Sequence, residues 1–166
     1  GVWLGPDYFF DMTRIGISLY GGSPHGMGET ALESVVTLQA PVLQTRMLEA
    51  GDSVGYGATF TAARDMTIGI VGLGYGDGLL RSLGNRDTGI ARLMVNNTPA
   101  PLIGRMSMDT LAIDLTDFEK PVAPDDVVEI FGPNNPIDAL ATQGLTISYE
   151  LLTGLGGRYN RIYKDN

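Results

Sequence analysis

The sequence predicts an all-β fold, a barrel or a sandwich with two short helices set into it, on three observations. Its 23 glycines in 166 residues are about twice the usual share of roughly 7%, and they fall singly or in small clusters between β-branched runs. The apolar residues alternate over short segments, the period of a strand with one face buried. Gly, Pro, Asn and Asp recur between those segments at spacings that suit short strands joined by turns.

The elements follow in chain order. Residues 35–48 read as a long strand, with Val36, Leu38, Ala40 and Val42 on one side and Thr37, Gln39 and Pro41 on the other. Pro41 has no N–H to give a neighbour, which predicts an edge position or a bulge there. A second apolar strand covers 66–73, and 90–95 with 100–103 form a hairpin about Asn96-Asn97, side chains that tolerate positive φ. Strands at 111–115 and Val127–Phe131 come next, the latter bounded by Asp125-Asp126 and Gly132-Pro133. A helix over 138–143 is predicted to stop at Gly144, and a second turn capped by Thr146 or Ser148 runs through Glu150, Leu151 and Leu152, placing Tyr149 in a first helical turn. Residues 158–163 make a closing strand.

Length allows one domain with a sizeable core plus a short arm. A formal charge of −8 argues against nucleic-acid phosphates or an anionic membrane surface as partners. With no cysteine there is neither a disulfide framework nor a thiolate metal site, which suits a cytoplasmic location. No run of about 18 apolar residues is present, and the start lacks the order of a signal peptide. The chain begins without methionine and with Trp3, Tyr8, Phe9 and Phe10 in search of a covering surface, so a piece of a longer polypeptide is expected. His25, the sole histidine, is expected in a surface loop without a role, and Asp77 in a turn. No metal site is predicted. The glycine-rich stretch 69–78 lacks the Lys-Ser/Thr ending of a phosphate loop.

Four blocks carry the chemistry. Ser53-Val54-Gly55-Tyr56-Gly57-Ala58-Thr59-Phe60 sets a tyrosine between two glycines, where a reactant can approach closely. A phenol has a reference pKa of about 10, so a catalytic Tyr56 needs a cation nearby; the same residues also suit a strand tyrosine at a bulge. Gly74-Tyr75-Gly76-Asp77-Gly78, Gly104-Arg105-Met106-Ser107-Met108-Asp109 and Thr146-Ile147-Ser148-Tyr149-Glu150 follow at domain-scale spacing. Met106 and Met108 equally suit gap-filling in a core.

In this order, and with Arg14-Ile15-Gly16-Ile17-Ser18-Leu19-Tyr20-Gly21 before them and Arg158-Tyr159-Asn160-Arg161-Ile162-Tyr163 after, the blocks resemble the carboxy-terminal part of bacterial alanine racemase, a pyridoxal-phosphate enzyme that interconverts L- and D-alanine for cell-wall peptidoglycan. The resemblance implies a Greek-key type β-barrel over residues 23–166, preceded in 1–22 by the last strand of an α/β barrel and a linker. Racemisation needs a base on each face of a planar carbanion and an electron sink, which the cofactor supplies. By resemblance Tyr56 is one base, given to the partner subunit of a homodimer. The other is a cofactor-bearing lysine in the α/β barrel domain. Neither Lys120 nor Lys164, the chain's only lysines, lies in such a motif, so this chain alone is expected to be inactive.

The resemblance places Arg14 at the cofactor's pyridine nitrogen and the backbone of Gly16 and Ile17 at its phosphate, with Tyr149 nearby. It also assigns the Met108 amide to the substrate carboxylate, with Arg105 and Asp109 holding that turn, and Tyr75, Arg81 and Tyr149 to a narrow entrance. A related broad-specificity racemase, or a non-catalytic β-barrel module presenting Tyr56, Tyr75 and Tyr149 to a peptide or sugar, are the competing readings.

Overall fold

A computed structural model describes residues 2–24, 32–84 and 91–164; His25 and the first residue of the predicted 90–95 strand lie outside them. Eight strands and two α-helices form among the described residues: β1 Leu38–Leu48, β2 Ser53–Val54, β3 Phe60–Thr61, β4 Met66–Val71, β5 Arg92–Val95, β6 Thr98–Ile103, β7 Leu111–Asp114, β8 Val127–Phe131, α1 Ile137–Gln143 and α2 Ser148–Gly154. Six of the strands close into a barrel in the order β1-β4-β7-β6-β5-β8, every pair antiparallel. Strands β5, β6 and β7 run consecutively and β8 returns beside β5, which is the Greek-key pattern. Closure leaves no free edge among the six.

Alternation puts Leu38, Ala40, Val42, Val71, Leu93, Val95, Ala100, Leu102, Leu111, Ile113, Val128 and Ile130 in the barrel interior, and the helices cap it with Leu140 and Leu151. A smaller core lies outside the barrel wall, where Leu48, Val54, Phe60, Ala62, Met66, Ile68, Ile103 and Ala112 meet. Strand β4 is therefore apolar on both faces, and β2 and β3 are pinned to its outer one. Strand β1 serves both cores because its register shifts between Val42 and Gln44. One extra residue inverts the facing of everything beyond it: Val42 points inward, and Leu48, of the same parity, points out into the second core.

The bulge falls just past Pro41, as its missing N–H suggested. Pro41 is nonetheless inside a closed wall, opposite Val127. The Asn96-Asn97 hairpin forms with φ of 49° and 63° at its two central residues, the twist-matched turn for joining antiparallel strands.

Four expectations differ from the structure. Residues 16–20 form a 3₁₀ helix, Gly16–Tyr20, where a strand over 14–21 was expected; a strand persists only beside a partner that takes its backbone hydrogen bonds, and none pairs with it among the described residues. The tail over 158–163 is likewise irregular, since the barrel closes through β8 and β1 without it. Helix α1 does stop at Gly144, but Gly144 keeps a right-handed φ of −83°, and the left-handed φ expected of a terminating glycine falls on Leu145 at 55°. Helix α2 starts after Ile147 with no side-chain cap, the Thr146 hydroxyl donating instead to the Glu150 carboxylate.

Candidate functional site

The Tyr56 loop stands on the outer core. Val54 and Phe60 are buried at its base, paired across β2 and β3, and the Ala58 N–H closes the loop on the Gly55 carbonyl at 3.2 Å. Gly55 has φ 83° and ψ 170°, a region essentially reserved for glycine. A Cβ there would stand 2.7 Å from the Arg105 backbone N, and one on Gly104 would stand 2.8 Å from the Val54 carbonyl. Two backbones thus touch, and the third block becomes the seat of the first. Tyr56 itself is 67% exposed, held outward because the residues on either side are committed to the seat.

Arg105 runs along this loop, its Nη1 3.9 Å from where a Cβ on Gly57 would lie. No hydrogen bond or ion pair joins it to any of the described residues. An exposed, uncommitted guanidinium beside the loop is the kind of cation a catalytic phenol requires.

The second block seats on the same segment one turn on. The Tyr75 N–H donates to the Ser107 carbonyl at 3.1 Å and the Gly76 N–H to the Met108 carbonyl at 2.8 Å. A side chain at Gly74 would collide with those two carbonyl oxygens, so only glycine lets the strands of backbone meet. The turn closes on itself through the Gly74 N–H to Asp77 Oδ2 at 2.9 Å. Ser107 fixes the other side, its N–H on the Thr110 carbonyl at 2.8 Å and its Oγ taking the Thr110 N–H at 2.9 Å. Both carbonyls of Ser107 and Met108 are therefore occupied, whereas the Met108 N–H donates to none of the described residues. Met106 does fill the barrel core, at 1% exposure, but Met108 is 52% exposed; gap-filling accounts for one methionine only.

A separate group gathers at the start of α2. The 3₁₀ helix Gly16–Tyr20 packs there through buried Ile17, and a Cβ on Gly16 would stand 3.8 Å from the Tyr149 hydroxyl. Ser23 N–H to Asp138 Oδ2 at 2.8 Å anchors the segment to α1. The amides of Gly16 and Ile17 open a helical turn, where no acceptor exists within the turn, and Arg14 is exposed with no hydrogen bond or ion pair to the described residues. Open amides, a phenol O–H and a guanidinium are all donors, a set that fits a phosphorylated, anionic group. Tyr149, in the first turn of α2 as expected, is half-exposed.

Gly78 against the Gly154 carbonyl joins the two groups; Tyr149 and Gly154 are five residues apart on α2, about 7.5 Å along its axis. Arg81 lies exposed on the 3₁₀ helix Arg81–Gly84, and no hydrogen bond or ion pair ties it to either group. Sequence reasoning missed Arg158. It pairs with Asp109 at 2.7 Å and with Asp77 at 3.3 Å, and the Asp109 hydrogen bond followed by the Asp77 charge raises its pKa further above the usual guanidinium value. Next to it, burial and then the Asp77 charge push the Tyr159 phenol up to about 12. Only the presence of a basic residue beside an aromatic in the tail hinted at this anchor.

Comparison with known proteins bears on the same residues. The family described as "Alanine racemase, C-terminal domain" matches residues 35–163. Alanine racemase of Rhodospirillum rubrum is 44% identical over 164 residues, 98% of this chain and 43% of that protein. The catabolic alanine racemase of Agrobacterium fabrum is 40% identical, over 98% of this chain and 41% of that protein. Among solved structures, alanine racemase from Bartonella henselae with covalently bound pyridoxal phosphate superposes with a TM-score of 0.90 at 41% identity, covering 99% of this chain and 45% of that one. Alanine racemase from Bacillus anthracis with bound L-Ala-P gives 0.80 at 29% identity, covering 95% and 41%. The chain spans less than half the length of each of these relatives.

Proposed function

This chain belongs to the alanine racemase C-terminal domain family, and from that premise we propose that it is the β domain of a cytoplasmic, pyridoxal-phosphate-dependent alanine racemase that supplies D-alanine for peptidoglycan. Residues 23–166 are the β domain and 1–22 the end of an α/β barrel. The observation that carries the reading is the exposed Tyr56, locked on the Gly104-Arg105 backbone, with the Met108 N–H, free of any acceptor among the described residues, three residues further along that same segment. One group removes or returns a proton and the other holds a carboxylate.

In a homodimer Tyr56 and Met108 serve the neighbouring subunit, and Arg14, Gly16, Ile17 and Tyr149 serve their own. Pyridoxal phosphate, when bound, supplies the electron sink for a proton lost from the α-carbon. The Tyr56 hydroxyl oxygen exchanges that proton on one face of the substrate. The amides of Gly16 and Ile17 and the Tyr149 hydroxyl would hold the phosphate. Arg14, permanently protonated, would be the residue that keeps the cofactor's pyridine nitrogen free of a proton. Tyr75, Arg81 and Tyr149 narrow the entrance to a width that suits a single methyl side chain. The chain alone, lacking the lysine, is inactive.

The test is made on the full-length protein with its cofactor. Tyr56→Phe is expected to abolish racemisation while leaving cofactor absorbance in place, and to leave exchange of the alanine α-proton with solvent active from one enantiomer only. Equal losses of exchange from both enantiomers, or none, overturn the reading.

A further inference from the structure

Arg158 joins two turns that the sequence holds far apart. Its guanidinium spans Asp77 of the Tyr75 turn, 3.3 Å from Nε, and Asp109 beside Met108, 2.7 Å from Nη2. A Cβ on Gly76 would stand 2.6 Å from Arg158 Nη1 and 2.8 Å from Met108 Cγ, so guanidinium and thioether stem close over the same glycine. Asp77 is committed as well to the Gly74 N–H, so pulling on its carboxylate pulls on the turn that carries Tyr75.

The arginine is itself held. Tyr159 packs its ring on the barrel core, and Arg161 loops back to the Leu155 carbonyl at 3.3 Å and the Gly156 carbonyl at 3.0 Å. A planar fork with fixed donors satisfies two carboxylates in one set geometry, whereas a lysine's ammonium is a point charge with rotatable donors on a flexible stem and imposes none. The irregular tail therefore works as a strap from the core, across the surface, onto the backbone that offers the Met108 N–H.

Resting on the proposed function, we propose that Arg158 is a positioning residue: by clamping Asp77 to Asp109 it holds the Tyr75 turn against the Met108 turn, and so sets the aim of the Met108 amide at the substrate carboxylate and the width of the entrance. An amide that binds the carboxylate equally before and during proton transfer affects binding more than turnover. Loosening it raises KM and leaves kcat nearly alone.

In the full-length holoenzyme, Arg158→Gln and Arg158→Lys are both expected to raise KM for alanine, by about three- to tenfold for Gln given the modest strength of exposed ion pairs, with kcat changed less than about twofold. Asp109→Asn, which removes the shorter pair, reproduces the shift. Hydrogen exchange supplies an arm that needs no substrate: the Gly76 amide, bonded to the Met108 carbonyl, exchanges faster in the variants, and the Ile113 amide in the barrel does not. If Arg158→Gln does not fold, Arg158→Lys and Asp109→Asn carry both measurements. An unchanged KM together with unchanged Gly76 exchange overturns the clamp. Faster Gly76 exchange in the variants, with an unvaried protein that fails to act on alanine, keeps the clamp and removes the racemase reading instead.

Discussion

Replacing Gly55 by alanine tests the seat of Tyr56 most directly. Its φ of 83° and ψ of 170° lie where an L-residue carries about 1–3 kcal/mol of strain. The added Cβ also falls 2.7 Å from the Arg105 backbone N, a collision with main chain that no rotamer relieves, for which overpacking of about 1–3 kcal/mol is the measure. Together these reach roughly 2–6 kcal/mol, against a total stability of about 5–15 for such a domain. Gly51 is the internal control: its φ is 99° and nothing lies within 4 Å of a Cβ there, so Gly51→Ala carries strain without collision. The assay is urea unfolding of both variants in the full-length protein, with amide exchange at Ala58, whose N–H bonds the Gly55 carbonyl. Gly55→Ala is expected to unfold at lower urea than Gly51→Ala by at least about 1 kcal/mol, or to lift the loop and expose the Ala58 amide. A Gly55→Ala protein matching Gly51→Ala in both respects refutes the reasoning that the loop is fixed by backbone contact.

Two other outcomes follow from burial and charge. The Tyr159 phenol is raised to about 12 in the folded chain against about 10 unfolded, so between those values the unfolded state binds fewer protons and stability falls as pH rises through that window. Tyr159→Phe is expected to remove that part of the alkaline slope and to leave stability below about pH 9 independent of it; an identical slope in the two proteins, followed by urea midpoints from pH 8 to 12, contradicts the buried setting of the hydroxyl. The packing of β1 beyond its bulge is tested by neighbouring residues of opposite facing. Leu48→Ala, at 5% exposure, is expected to cost about 2–4 kcal/mol, whereas Met47→Ala, at 67% exposure, stays within about 0.5 kcal/mol; the reverse order in thermal melts would contradict the burial of Leu48 in the second core.

What the sequence determined by itself is the set of features governed by near neighbours. Alternation marked β1, whose faces are written in every second residue, and short apolar runs marked β4, β7 and β8. Asn96-Asn97 marked a hairpin, because left-handed turns select those side chains locally. Tertiary structure decided the rest. The bulge after Pro41 turned Leu48 out of one core and into another, which depends on what β4 and β8 offer across the wall and not on residues 41–44 alone. Residues 14–21 and 158–163 carried strand-like composition but pair with no backbone among the described residues, and a ladder needs two sides. Gly144 ended α1 as its sequence indicates, but the left-handed turn fell on Leu145, where the chain reverses between α1 and α2. Arg158 meets Asp109 across 49 residues, and no local pattern encodes a charge pair at that separation. The Met108 N–H, without an acceptor among the described residues, is likewise a property of the assembled turn, in which Tyr75 and Gly76 take the Ser107 and Met108 carbonyls.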